Sequence, residues 1–90
     1  MNLTDKVTIP EQVLARQVGE ETVILDLASG TYFGLDPVGA RIWQLLTEGK
    51  TIDEVCATML AEYEVTPEDL ERDVLRLAEE LRAKQLISLI

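Results

Sequence analysis

The 90 residues carry 17 acidic against 8 basic side chains, one cysteine and no histidine. These counts leave no disulfide within the chain, no cysteine or histidine metal site, and no Ser–His or Cys–His pair for catalysis. A formal charge of −9 repels phosphate backbones and anionic membranes, because binding there depends on releasing counterions from Lys and Arg contacts.

The expectation is therefore one non-catalytic domain over residues 1–90, with its core at about 7–87 and no metal, cofactor, nucleic acid or membrane as partner. Hydrophobic residues make up 47% of the chain, enough for a folded globule. The aromatic side chains are Tyr32, Phe33, Trp43 and Tyr63, so the core must be built from Leu, Ile and Val. Asp5 and Lys6 interrupt the segment where a signal peptide would be apolar. No run approaches the ~20 apolar residues of a membrane span, and the cytoplasm is the expected location.

The first five or so residues read as loose. From Val7 to Leu35 the pattern is β-like. Val13 and Leu14 sit in a short run, and Gly19-Glu20 can turn the chain. Thr22 to Leu27 alternates, with Val23, Leu25 and Leu27 on one face and Thr22, Ile24 and Asp26 on the other. Ser29-Gly30 is a second turn signal. Thr31 to Leu35 forms a third strand, with Thr31, Phe33 and Leu35 pointing one way and Tyr32 the other. The prediction is an antiparallel meander of three strands.

At Asp36-Pro37 the period changes from two to 3.6. Asp36 suits an N-cap and Pro37 the first helical position. Val38, Ile42, Leu45 and Leu46 make one stripe, Trp43 falls at its edge, and Gly49 stops the helix. Thr51 and Glu54 have the spacing of a capping box for a second helix, whose stripe is Ile52, Val55, Cys56, Met59, Leu60 and Tyr63. Cys56 sits mid-stripe, where burial makes a thiol inert. Thr66-Pro67 starts a third helix that reaches about Gln85. At about 100° per residue, Leu70, Val74, Leu77, Ala78 and Leu81 share a core stripe. Leu75 lies outside it between Glu71 and Arg82, either as a peripheral core residue or as the lining of a groove beside the neighbouring strand.

Three strands followed by three capped helices describe an α+β domain of winged helix-turn-helix-like type. Such a fold invites a nucleic-acid reading, but its third helix holds six acids against four bases, the wrong balance for a polyanion. Glu20-Glu21 and Glu79-Glu80 read as solvated faces, and Gly30, Gly34 and Gly39 lack the spacing of a phosphate-binding loop. The third strand is more informative. Its edge, Thr31 to Leu35, carries neither charge nor proline. It is either protected by shortness or a template for an added peptide strand.

The residues that carry this reading also carry a resemblance. Leu25-Asp26-Leu27 and Gly30-Thr31-Tyr32-Phe33-Gly34-Leu35-Asp36 lead into Gly39-Ala40-Arg41-Ile42-Trp43-Gln44-Leu45-Leu46. Gly49 to Val55 and Asp73 to Leu81 follow. The chain resembles the PqqD-like family of leader-peptide recognition elements, most specifically over Tyr32 to Leu46. The resemblance implies that the leader region of a ribosomally made precursor adds as a strand beside the third strand and packs on the third helix. It also implies presentation to a separate maturation enzyme such as a leader peptidase, as in lasso-peptide systems. The candidate contacts are Leu27, Thr31, Tyr32, Phe33 and Gly34 on the strand side, and Glu71, Val74, Leu75, Ala78 and Arg82 on the helix. The alternative is a winged-helix transcriptional or structural interaction domain. Two departures stand out: Asp36 where the family often has Asn, and Gln85 where many members have Gly.

Overall fold

The computed structural model describes residues 1–90. Strands β1 (Val7–Thr8), β2 (Val13–Val18), β3 (Glu21–Asp26) and β4 (Tyr32–Leu35) precede helices α1 (Pro37–Thr47), α2 (Ile52–Glu62) and α3 (Pro67–Ala83), and β5 (Ser88–Leu89) ends the chain. β2, β3 and β4 form the expected antiparallel sheet in that order. Gly19 at φ +64, ahead of a Glu20 with negative φ, fits the two-residue II′ turn that matches strand twist.

The inner face of the sheet is the Ile24 face. Ile24 and Asp26 are buried while Val23 and Leu25 are half-buried on the other side. A buried aspartate is unusual, and its hydrogen bonds explain it. Asp26 Oδ1 accepts from the N–H groups of Ala28 at 2.9 Å and Ser29 at 3.3 Å, so the carboxylate builds the β3–β4 turn in place of water.

The three helix starts are where local chemistry places them. Asp36 Oδ1 accepts from Gly39 N–H at 2.7 Å. Thr51 Oγ1 accepts from Glu54 N–H at 3.1 Å while Thr51 N–H donates back to Glu54 Oε1 at 2.8 Å. Thr66 Oγ1 accepts from Asp69 N–H at 3.3 Å. Each cap is worth about 1 kcal/mol. Trp43 joins Ile42, Leu45 and Leu46 in the core, whereas Val38, at the start of α1, stays exposed. Cys56 is buried, and that burial pushes its thiol pKa up, with Glu71 and Asp53 adding to the shift.

Two expectations fail at the chain ends. The first residues are tied down: Leu3 and Asp5 carbonyls accept from Asp53 N–H (2.8 Å) and Ile52 N–H (3.1 Å), satisfying orphan donors of α2. The Met1 amine lies 3.2 Å from Glu79. Beyond α3, Leu86 and Ile87 enter the core and β5 pairs with β1, Val7 opposite Leu89. Helix α3 stops at Ala83, with Lys84 as its cap. Gln85 then takes a left-handed φ of 60. Gln85 N–H donates to the Arg82 carbonyl and Leu86 N–H to that of Leu81, each at 2.9 Å. This is a Schellman ending, sealed by burial of Leu81 and Leu86 together. No helix is long and apolar enough to cross a membrane.

Candidate functional site

β4 pairs with β3 on one side and with nothing on the other. The phase of the ladder decides which of its backbone groups are free. Asp26 N–H donates to the Thr31 carbonyl at 2.8 Å, and antiparallel hydrogen-bonded pairs recur every second residue. With Ile24 opposite Phe33 and Thr22 opposite Leu35, those two pairs hold the inner bonds. The backbone N–H and C=O groups of Tyr32 and Gly34 therefore face outward, unpaired. Gly34 adds no side chain to obstruct an approaching backbone, and a Cβ there would meet only Glu21 Oε2 at 4.0 Å.

Beside this edge runs a groove of about 420 Å³. Phe33, Gly34 and Leu35 form its strand side, Val38, Gly39 and Ile42 of α1 its floor, and Asp73, Arg76, Leu77 and Glu80 of α3 its far wall. A Cβ on Gly39 would sit 3.2 Å from Leu35 Cδ2 and 3.3 Å from the Asp36 carboxylate that caps α1, so a side chain there would press on both by a few tenths of an ångström. Arg76 pairs with Asp73 at 3.2 Å. Lys84 Nζ lies 5.9 Å from the Phe33 ring centroid, within reach of a cation–π contact. A larger cleft of about 680 Å³, between α1 and the α2–α3 turn, shares Val38, Ile42 and Asp73 with the groove and continues it past the end of β4.

An uncharged edge, a glycine in its centre and an apolar groove walled by a helix can hold an extended peptide through main-chain bonds and alternate side chains. Residues 21–87 match the family model described as Coenzyme PQQ synthesis protein D (PqqD). The chain belongs to the PqqD family. Two solved structures are similar to this PqqD-family protein. TbiB1 in complex with the TbiA(beta) leader peptide is 42% identical, with a TM-score of 0.82 over 89% of this chain and 93% of that one. Lasso peptide synthetase B1 complexed with the leader peptide is 29% identical, with a TM-score of 0.85 over 92% of this chain and 98% of that one. The search of curated proteins finds no match.

In this PqqD-family fold the candidate residues separate. Tyr32, Phe33 and Gly34 sit together on the free edge, and Thr31 adjoins them with its hydroxyl bonded to Ser29 at 2.9 Å. Leu27 is 62% exposed, but its N–H donates to the Gln12 carbonyl, so it lies toward β2, away from the groove. Val74 and Ala78 are 0% exposed and offer no surface. Glu71, Leu75 and Arg82 belong to the other flank of α3. One turn below Leu75, Glu71 acts on Cys56 of α2. One turn above, Glu79 holds the Met1 amine and Arg82.

Leu77, placed in the core stripe by its spacing, is the half-buried leucine that lines the groove. The stripe of Leu70, Val74, Ala78 and Leu81 has a leucine on each border, and periodicity does not say which border faces the strand. Asp73, Arg76 and Glu80 were missed for the same reason. They share Leu77's flank at i±3 and i±4 or directly beside it, so a reading that starts from that border brings them along.

Proposed function

We propose that this chain is a non-catalytic adaptor that binds the leader segment of a ribosomally made precursor peptide and presents it to a separate maturation enzyme. The leader adds as a fourth strand on β4, pairing with the outward backbone groups of Tyr32 and Gly34. Its alternate side chains enter the groove between Phe33 and Leu77. Thr31, Asp73, Arg76 and Glu80 border the path. The enzyme served is a leader peptidase of lasso-peptide or related biosynthesis, working in the cytoplasm where the precursor is made. One observation carries the reading: an unpaired edge with a groove beside it, in a fold shared with two leader-peptide complexes of 42% and 29% identity.

The winged-helix transcriptional alternative is weakened by the pairing on α3. Arg72, Arg76 and Arg82 each lie within ion-pair distance of an acid three residues earlier, so the arginines of that helix are already partnered within it.

Titration with the TbiA(beta) leader peptide, followed by amide exchange, tests the proposal. Exchange should slow at Tyr32 and Gly34, while Phe33 and Leu35, bonded to β3 already, change little. Absence of binding, or protection appearing on β2 instead, would overturn it.

A further inference from the structure

Main-chain pairing to Tyr32 and Gly34 is blind to sequence. A strand held by two residues of an edge can slip by two and keep the same side chains turned inward. Register must then come from what the side chains meet, and the wall that α3 sets beside the groove is not uniform. Asp73 is paired with Arg76 at 3.2 Å, and Asp36 accepts from Gly39 N–H. Glu80, on the same wall, makes no ion pair. Lys84 follows it by four residues, the spacing at which glutamate and lysine pair along a helix. Its ammonium lies over Phe33 instead, at one end of the groove, and it too makes no ion pair. Both side chains are exposed, so two opposite charges stand open, one helical turn apart, along the path of the leader.

We propose that Glu80 and Lys84 fix the register of the leader strand by reading a basic and an acidic side chain two residues apart. The inference rests on the leader-binding reading above. Four residues of helix advance about 6 Å and two residues of strand about 6.8 Å. Successive inward side chains of the leader therefore keep step with successive turns of α3. The contacts at each end give the direction. Lys84 lies over Phe33, while Asp73 also lines the cleft beyond Leu35, so α3 runs against β4. From the Phe33 end toward the Leu35 end, the leader meets Lys84, then Glu80, then Leu77. The matching leader carries an acid, a base and an apolar side chain at alternate positions in that order. Slipping it two residues sets like charges together, acid beside Glu80 in one direction and base beside Lys84 in the other. An exposed ion pair adds little affinity by itself; the discrimination comes from the repulsion in the wrong register.

The test uses the purified full chain and the TbiA(beta) leader peptide, synthesised as a series in which each position in turn carries Lys or Glu. With wild type, one position should bind at least about fivefold tighter as Lys than as Glu, and a second, two residues away, should show the reverse. Glu80→Lys should invert the preference at the first position alone, and Lys84→Glu at the second alone. Glu80→Gln, a smaller change in case the reversal folds poorly, should flatten the first preference and leave the second. A merely structural role for either residue would shift all peptides together. Both preferences should shrink as salt rises from about 0.05 to 0.5 M, because exposed charges are screened. The same profile for wild type and all three variants overturns the proposal. So does a pair of charge-sensitive positions that are not two residues apart. Failure of wild type to bind the unsubstituted peptide would sink the leader-binding reading itself, and it shows before any substituted peptide is added.

Discussion

The sheet has two free edges, and they are not equivalent. β2 is the longer, six residues against four in β4, and by the same ladder phase it presents free outward backbone groups at Ala15 and Gln17, the Val13 N–H being taken by the Pro10 carbonyl at 3.0 Å. Yet the cleft of about 450 Å³ that β2 shares with α1, reached at Gln17, is lined mainly by polar groups such as Thr22, Arg41 and Gln44, whereas β4 meets α1 and shares with α3 a groove lined by Phe33, Leu35, Ile42 and Leu77. A peptide on β2 would gain main-chain bonds and set its inward side chains beside the polar Arg41 and Gln44. On β4 it gains the same bonds and buries every second side chain. An unpaired edge supplies attachment; the adjacent helix wall supplies a reason to bind there.

The largest effect should come from closing the favoured edge. Gly34→Pro removes an outward N–H, leaving the β3 ladder intact, since proline is tolerated where the lost donor faces solvent. A peptide carbonyl then goes unpaired in the complex. The lost bond and the unsatisfied acceptor together cost about 2–4 kcal/mol, so calorimetry should show affinity for the leader peptide down roughly 30-fold or more. The matched change on the other edge, Ala15→Pro, should leave affinity within twofold. Equal losses at both edges would abolish the distinction.

Next in size is the helix wall. Leu77→Glu removes apolar burial worth about 1.5–3 kcal/mol and faces a carboxylate to the incoming side chains, so affinity should drop at least about tenfold. Leu75→Glu, on the opposite flank, should leave affinity nearly unchanged and instead lower the melting temperature, because Leu75 packs on the core toward α2. If the two variants exchange these phenotypes, the peptide lies across the other side of α3.

A smaller effect is expected at the end of α3. Gln85 holds a left-handed φ of 60, a conformation glycine adopts without the Cβ penalty. Gln85→Gly should stabilise the fold by about 1 kcal/mol and raise the melting temperature by roughly 4–8 °C, with leader affinity unchanged.

The smallest effect is on acidification. The Thr51 backbone and side chain hold the Glu54 carboxyl below its ordinary range, and Arg41 does the same for Glu62. Groups with lowered folded pKa contribute stability that is complete above the unfolded value of 4.5 and is lost as pH falls through the folded one. The melting temperature should hold from pH 7 to about 5 and decline below 4.5, less steeply in Glu54→Gln. A flat profile to pH 3 would show that neither contact matters to stability.

What could be read before the fold was known divides by range. Asp36-Pro37, Thr51 with Glu54, and Thr66-Pro67 place three helix starts because a cap is a bargain among four adjacent residues. Gly19-Glu20 and Ser29-Gly30 place the strand turns for the same reason. The β1–β5 pair joins residues 7–8 to 88–89, and two-residue strands carry no period of their own. The choice between Leu75 and Leu77 depends on how α3 is laid across the sheet, which is a property of the assembled chain. The turn role of Asp26 was local but hidden, because an aspartate in an alternating strand reads as its solvent side.

That terminal pairing has a kinetic consequence. Closing Val7 onto Leu89 encloses nearly the whole chain in one loop, and the entropy of closure must be met before two short strands return anything. The clasp should therefore form last in folding and open first in unfolding. Its amides should exchange ahead of the sheet's, with Ile87 and Leu86 acting as the latch that delays the release of α3.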